Sequence, residues 1–329
     1  NMNNFYFQGR GIADFAGDFY ARGGKVLLID QVFKQQDWSS ELRQCYDQCP
    51  GLKIVFTGSS VMRLKEENPE LGGIVKSYNL RGFSFREYLN LLTGKNFAKY
   101  TLDEILERHV DIANEFAQQI DIQSHFTNYL HHGFYPFFRE HRNFEENLLK
   151  TMNMMTEVDI LLIKQIELKY LTKIKKLFYL LAVEGPKAPN ISNLASNIET
   201  SRATVMNYIK YLSDARLINM IYHVGDDFPK KPSKVMMYNP NLMYAIYPIV
   251  ANTQDAMETF FVNLVWKDHK VNQGNKDAYY IVDERLKFKI VDGTHSARQR
   301  NAPDILYAVY NSTVGHDNYI PLWMFGLLY

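Results

Sequence analysis

The first part of the chain alternates short apolar runs with amphipathic segments. Residues 10–22 and 38–48 carry apolar side chains at helical spacing, which predicts two helices. The runs 25–29 and 52–56 are short and largely apolar, without strict alternation between apolar and polar positions. Such runs are typical of parallel strands buried on both faces. The order therefore predicts a strand–helix–strand unit with its two strands parallel.

The rest of the chain is predicted as helices to about residue 215 and mainly as strands after it. Helical periodicity covers residues 84–130, 142–184, 191–197, 202–215 and 255–269, and strand patterns cover 217–222, 278–282 and 286–291. The stretch 240–248 is predicted to be irregular because prolines bound it, and the apolar end 320–329 to be packed. Helix, short helix, turn, longer helix and strand, in that order, are typical of a winged helix-turn-helix.

Polar side chains follow both strands of the first unit. Asp30 and Gln31 come directly after the first strand, and Thr57, Ser59 and Ser60 follow the second. Ligands of parallel sheets bind at the carboxyl ends of the strands, so we expect these side chains at one edge. An apolar strand that ends in an acid is either a Walker B strand, which holds magnesium for ATP, or a buried strand with a polar end. The pattern alone leaves both interpretations open.

Seven segments, the first of which is that strand, resemble one protein family when they are taken in chain order. They are Leu27-Leu-Ile-Asp-Gln-Val32, Trp38 with Tyr46-Asp47, Phe56-Thr-Gly-Ser-Ser60, Phe83-Ser-Phe-Arg-Glu-Tyr-Leu89, Gly133-Phe-Tyr-Pro-Phe137, Glu258-Thr-Phe-Phe261 and Ile320-Pro-Leu-Trp-Met-Phe-Gly326. Together they resemble the predicted AAA-type P-loop ATPases of bacteria and archaea that carry a winged helix and a C-terminal restriction-endonuclease-like domain. The resemblance extends over nearly the whole chain.

The resemblance implies an α/β fold in four parts. Residues 1–83 would form part of a P-loop ATPase sheet, 84–165 a helical lid, 166–238 the winged helix-turn-helix and 239–329 an α/β nuclease-like domain. It also implies ATP and magnesium as cofactors. Asp30 would then bind magnesium through the nucleotide. The second strand would be the sensor strand of the family, and its polar end, which consists of Thr57, Ser59 and Ser60, would contact the γ-phosphate.

Several positions depart from the pattern of an active ATPase. The motif Gly-x-x-x-x-Gly-Lys-Ser/Thr, which cradles the phosphates, does not occur, and the family places it before the region with which this chain begins. Gln31 stands where the family has a glutamate, and an amide cannot accept a proton from water at neutral pH. Residues 70–74 contain no arginine where the family has a candidate arginine finger. These losses predict weak or absent ATP hydrolysis.

The C-terminal part departs from a nuclease in the same way. A restriction-endonuclease-like site needs carboxylates at a strand end, followed by a lysine, to hold magnesium and activate water. Tyrosine stands at the first carboxylate position, in the run 278–282, and Lys289 stands at the second. Glu258, on the preceding helix, is the one acid that stays in register as a remnant of that site. We therefore expect no nuclease activity.

The net charge of the whole chain favours no class of partner, whereas the positive charge of one segment favours DNA. The chain carries 37 Lys and Arg against 36 Asp and Glu, a net charge of +1. Between residues 164 and 234, however, there are 12 Lys and Arg against 6 Asp and Glu. Arg202, Asn207, Lys210 and Arg216, on and after the predicted recognition helix, are therefore candidates for DNA contacts.

Three functions stay open on the sequence. The first is a nucleotide-sensing or scaffolding protein of the ATPase family, the second an active ATPase whose P-loop lies upstream of residue 1, and the third a DNA-binding winged-helix protein. Self-association or a protein partner is compatible with each. No apolar run approaches the roughly 18–20 residues that span a bilayer, and no signal peptide is visible. We therefore predict a cytoplasmic protein without membrane contact, whose two cysteines, Cys45 and Cys49, are reduced thiols.

Overall fold

The computed structural model describes residues 7, 9–59, 68–140, 143–247, 252–276, 279–294 and 304–329, which form a mixed α/β structure. The helices are α1 Ile12–Ala21, α2 Trp38–Gln48, α3 Phe85–Thr93, α4 Leu102–Ala117, α5 Ile122–Asn128, α6 Phe144–Met154, α7 Leu161–Ile163, α8 Leu171–Glu184, α9 Ile191–Asn197, α10 Arg202–Asp214, α11 Pro240–Ile246 and α12 Thr253–Val265. The strands are β1 Val26–Ile29, β2 Lys53–Phe56, β3 Ile218–Ile221, β4 Lys234–Met237, β5 Val271–Gln273, β6 Tyr280–Val282, β7 Leu286–Asp292, β8 Leu306–Tyr310 and β9 Tyr319–Pro321.

The chain packs into two compact units. The smaller unit comprises Asn1–Leu80 and Val158–Glu167, and the larger comprises Arg81–Glu157 and Leu168–Tyr329. The segment Val158–Glu167 thus belongs to the smaller unit, although residues of the larger unit precede and follow it along the chain. The four-part division proposed from the sequence stays a prediction.

The smaller unit is built on the predicted parallel pair of strands. β1 and β2 are in register from Val26 opposite Lys53 to Ile29 opposite Phe56. Leu27 and Ile29 point into a core that α1 and α2 complete, together with Val32 from the turn after β1. The core residues of the two helices are Ile12, Ala16, Trp38, Leu42 and Cys45. The carboxyl ends of both strands therefore meet at one edge of this small sheet.

The expectation that these strands are buried on both faces is wrong for the described residues. Successive side chains of a strand point to opposite faces. The side chains that face away from α1 and α2 are exposed, with Val26 at 51%, Leu28 at 71% and Val55 at 58% of their accessible area. An apolar run without alternation cannot reveal that helices cover only one of its faces.

The larger unit contains a five-stranded mixed sheet with the order β5-β6-β7-β8-β9. β5, β6 and β7 are antiparallel, and β7, β8 and β9 are parallel. Helix α12 packs its aromatic side chains against this sheet and against the apolar end of the chain, where Phe325 lies 4.9 Å from Phe261 between ring centroids. The end of the chain is packed, as predicted, and Trp323 is 1% exposed.

The elements predicted for the winged helix are present in the same unit. Helix α9 has its predicted bounds, and α10 begins at Arg202 because the Ser201 hydroxyl accepts a hydrogen bond from the amide of Thr204 at 3.0 Å. β3 and β4 pair antiparallel after α10. The assignment of these elements to a winged helix-turn-helix stays a prediction.

The stretch 240–248 was predicted to be irregular, and this is wrong for residues 240–246, which form α11. The side chain of Asn239 accepts a hydrogen bond from the amide of Leu242 at 3.2 Å and caps the helix. Pro240 occupies the first helical position, where its missing N–H has no helical partner to lose. The proline therefore begins a helix at this point instead of breaking one.

Candidate functional site

The carboxyl ends of β1 and β2 bring three of the predicted site residues together. The Thr57 hydroxyl donates to a carboxylate oxygen of Asp30 at 2.6 Å and accepts from the backbone amide of Gln31 at 3.0 Å. Backbone bonds hold the same edge on both sides, from Thr57 N–H to the Ile29 carbonyl at 2.9 Å and from Val32 N–H to the Thr57 carbonyl at 3.0 Å. The Asp30 carboxylate is thus fixed by its neighbour strand and stays exposed to solvent.

Gln31 turns the chain away from the strand direction. Its φ of 56° lies in the left-handed region, which is uncommon for a residue with a side chain, and a short 3₁₀ turn Val32–Lys34 follows. The side-chain oxygen of Gln31 is buried and has no hydrogen-bond partner among the described residues. The amide is therefore placed beside Asp30 along the chain, but it brings no group that could serve as a general base.

Ser59 has a partner that the sequence did not reveal. Its hydroxyl donates to a carboxylate oxygen of Asp159 at 2.5 Å, across 100 positions of the chain. Burial raises the pKa of the Asp159 carboxyl, whereas the hydrogen bond from Ser59 and the positive charge of Lys34 act in the opposite direction. No motif marks Asp159, because it lies in a helical stretch that looks ordinary in sequence. Ser60, the fifth predicted residue of this edge, lies outside the described residues.

The donor set at this edge fits a magnesium ion that a nucleotide carries. One carboxylate and one hydroxyl, both oxygen ligands, are the kind of partial shell that proteins offer to magnesium when phosphates and water supply the rest. Among the described residues no group of three or more His, Cys, Asp or Glu side chains could hold a metal ion without such help. Asp30 and Thr57 are therefore the residues that would hold the ion.

The four candidates for DNA contacts have different surroundings in the structure. Arg202 and Asn207 are exposed on α10. The Lys210 ammonium instead forms an ion pair with the carboxylate of Asp214, one turn further along, at an N–O distance of 2.5 Å. Arg216 follows α10 with a positive φ of 57°. Arg202 also lines a cleft of about 220 Å³ between α10 and the loop before β4, together with Ile191, Ala203, Met206, Pro229 and Lys231.

Glu258, the predicted nuclease remnant, is 7% exposed and fully engaged by side chains of the larger unit. One carboxylate oxygen accepts from the Lys234 ammonium at 2.8 Å and from the Tyr280 hydroxyl at 2.7 Å. The other accepts from the Gln254 amide at 3.1 Å. An ammonium group therefore supplies the positive charge at this carboxylate. Lys289, which stands at the second carboxylate position, lies with its ammonium 5.6 Å from the ring centre of Tyr279.

Comparison with known protein families finds matches in two parts of the chain. A family model described as an AAA domain matches residues 3–89, and a model of a domain of unknown function matches residues 123–253. The first match supports an AAA-like P-loop ATPase family for the N-terminal part, the part that contains Asp30 and Thr57.

One relative of the chain is itself described only as uncharacterised. The chain is 28% identical over 218 residues to an uncharacterised protein, MJ1637, of Methanocaldococcus jannaschii. The match covers 64% of this chain and 46% of that protein, so the chain spans about half the length of its relative. No solved structure matches.

None of the described helices is both long enough and apolar enough to cross a bilayer.

Proposed function

We propose that this chain is part of an AAA-type ATPase-family protein that senses nucleotide, with weak or lost ATP hydrolysis and without nuclease activity. The observation that carries the proposal is the hydrogen bond from Thr57 to Asp30, at the adjacent ends of two parallel strands. Ligands of such sheets bind at this end. The match of residues 3–89 to the AAA domain supports the same assignment.

Each residue of the edge has a defined part in this proposal. Asp30 and Thr57 bind the magnesium ion that arrives with the nucleotide, and the Thr57 hydroxyl also holds the Asp30 carboxylate in place. Ser59 offers a hydroxyl to the terminal phosphate. Gln31 contributes an amide where hydrolysis needs a carboxylate, so a bound nucleotide persists as a signal instead of being turned over.

Titration calorimetry with ATP and magnesium tests the proposal on the product of the whole gene. We expect binding by the wild type and a loss of about tenfold or more in affinity for Asp30→Ala, because the variant loses a charged oxygen ligand. Asp47→Ala is the matched control, since Asp47 is an exposed aspartate of the same unit in the last turn of α2, which precedes the start of β2. A folded wild type that binds no nucleotide would contradict sensing and leave the scaffolding role.

The hydrolysis part of the proposal has a separate test. Phosphate release from saturating ATP and magnesium is expected to stay at the level of the Asp30→Ala variant. A release rate in the wild type at least tenfold above that variant, of the order of one event per second, would be typical of a working ATPase. That result would contradict the proposed loss of hydrolysis.

DNA binding through the predicted winged helix is a second candidate function. It is favoured by the cleft in which Arg202 of α10 and Lys231 of the following loop lie on the same surface. Fluorescence anisotropy with a DNA duplex should then show weaker binding for Arg202→Ala and Lys231→Ala. The slope of the logarithm of the binding constant against the logarithm of the salt concentration should fall by about one for each lost phosphate contact. Lys176→Ala, an exposed lysine of α8, is the control. Equal binding by all four proteins would exclude this surface.

A further inference from the structure

The Ser59 hydroxyl, which the proposed function offers to a nucleotide phosphate, is already engaged by an anion. It donates to the Asp159 carboxylate at 2.5 Å, and Asp159 is partly buried at this position. A serine hydroxyl carries one proton and so donates one hydrogen bond at a time. The same proton cannot serve both the carboxylate and a phosphate oxygen.

The charges at this position make the conflict stronger. A terminal phosphate that approaches Ser59 meets the negative charge of Asp159 at close range, where the electrostatic repulsion between two anions is large. Burial raises the pKa of the Asp159 carboxyl and thereby favours its neutral form, while Lys34 lowers it. Once the hydrogen bond to Ser59 opens, the Asp159 carboxylate loses this donor while it remains partly buried, which is unfavourable for the charged form.

We propose that Asp159 is a specificity-determining residue of this edge: its carboxylate competes with nucleotide phosphate for the Ser59 hydroxyl, so phosphate binds there only when the Ser59–Asp159 hydrogen bond opens. This inference rests on the proposed nucleotide function. It adds to that function a gate that excludes weakly held anions and admits a phosphate whose magnesium is held at Asp30.

Asp159 lies where the chain passes from one compact unit to the other, so its release would affect that segment. Asp159 lies in the π-helical turns Met155–Ile160, where the chain passes from the larger unit into the segment Val158–Glu167 of the smaller one. Release of Asp159 therefore frees a side chain at the covalent junction of the two units. Nucleotide binding at the strand ends would therefore affect this junction through the Ser59–Asp159 hydrogen bond.

Asp159→Asn tests the competition directly, because asparagine keeps the size and one accepting oxygen but removes the charge. In calorimetric titrations with ATP and magnesium we expect the variant to bind about tenfold to hundredfold more tightly than the wild type. The neutral asparagine holds the Ser59 hydroxyl less tightly than a carboxylate does, and it no longer repels the phosphate. Asp47→Asn, at an exposed position of α2, is the matched control and should bind like the wild type. In a Ser59→Ala background the gain from Asp159→Asn should shrink, because no hydroxyl is released to the phosphate.

The outcomes separate this inference from the proposed function. Wild-type binding that Asp159→Asn leaves unchanged, or improves equally with and without Ser59, would overturn the competition while nucleotide sensing stands. Binding by Asp159→Asn alone would support the gate and overturn sensing by the wild type. Failure of both proteins to bind would overturn both.

Hydrogen exchange gives a readout that does not depend on affinity. Amides of residues 155–161 should exchange faster in the wild type when ATP and magnesium are added, because Asp159 leaves Ser59. Unchanged exchange in the nucleotide-bound wild type would overturn the link to the junction between the units.

Discussion

At the scale of single residues, Asp255 is a carboxyl group of the larger unit whose pKa is strongly raised. Burial raises the pKa of its carboxyl to about 6, the negative charge of Glu258 adds to the shift, and Lys234 and Lys187 oppose it. The folded state therefore holds a proton on Asp255 at pH values where the unfolded chain has already lost it. The resulting stabilisation is complete below about pH 3.8 and is lost as the pH rises through about 6.

Asp255→Asn should remove this dependence, because the amide does not titrate. The wild type is expected to lose about 1–2 kcal/mol of unfolding free energy between pH 4 and pH 7 at this site, after allowance for the screening of a half-buried group. The variant should therefore gain stability relative to the wild type across that range, as measured by urea unfolding at each pH.

Asp111→Asn, an exposed substitution on α4, is the control for Asp255→Asn. If the difference between the Asp255 variant and the wild type is the same at pH 4 and pH 7, the assigned origin of the pH dependence is wrong.

The sequence predicts which residues lie close together where their positions directly after two paired strands decide it. Asp30 and Thr57 each follow a strand directly, so parallel pairing alone brings them to one edge, and their hydrogen bond agrees with that reasoning. Asp159 reaches Ser59 from 100 positions away, through a segment that packs with the smaller unit. No periodicity or motif carries that information, so the residue that we propose as the gate was missed.

At the scale of elements, two helices begin with the same cap in different surroundings. Ser84 at α3 and Thr101 at α4 each accept from the amide three residues on, while Glu87 and Glu104 bond back to the cap residue. Ser84 is fully buried, and its hydroxyl also donates to the backbone carbonyl of Tyr329 at 2.5 Å. The Ser-Phe-Arg-Glu run identified in the sequence thus also holds the end of the chain.

Ser84→Ala should cost more stability than Thr101→Ala. The exposed cap is expected to contribute about 1 kcal/mol. The buried one should contribute about 2–3 kcal/mol, because its loss also removes a donor from a buried carbonyl. Urea unfolding of both variants, monitored by near-ultraviolet circular dichroism, measures the difference in unfolding free energy. Equal losses would show that the bond from Ser84 to Tyr329 adds nothing to the cap.

Element prediction failed where tertiary context decides the outcome. The bounds of α9 follow from its own cap and periodicity and were predicted correctly. The exposed faces of β1 and β2 depend on which neighbours cover them, and α11 depends on an Asn-Pro pair that begins a helix here. Both signals are ambiguous without the packing partners.

At the scale of the whole molecule, the Lys234–Glu258 ion pair joins parts that the sequence suggested were separate. Lys234 belongs to β4 of the predicted winged helix, Glu258 to α12, and Tyr280 to the five-stranded sheet. A second connection runs from the backbone of Gln273 in β5 to the Tyr222 carbonyl at 2.8 Å. These contacts lie within the larger unit and explain why it packs as one body.

A double-mutant cycle should show how strongly this pair is coupled. Lys234→Met is expected to cost about 3–5 kcal/mol of unfolding free energy, because it leaves the Glu258 carboxylate buried without its cation. Adding Glu258→Gln should recover part of that loss, with a coupling energy of about 1–3 kcal/mol. Lys230→Met, in an exposed pair with Asp226, should cost less than about 1 kcal/mol. Additive losses for Lys234 and Glu258 would contradict the buried ion pair.

The measurement that tests the central claim most directly is the magnesium dependence of ATP affinity in the wild type and in Asp30→Ala. The claim is that Asp30, held by Thr57, binds the ion that the nucleotide carries. Magnesium should then tighten ATP binding by about tenfold or more in the wild type and have little effect in the variant, because the ion loses its protein carboxylate. An equal magnesium effect in both proteins, or no ATP binding by the folded wild type, would contradict the account.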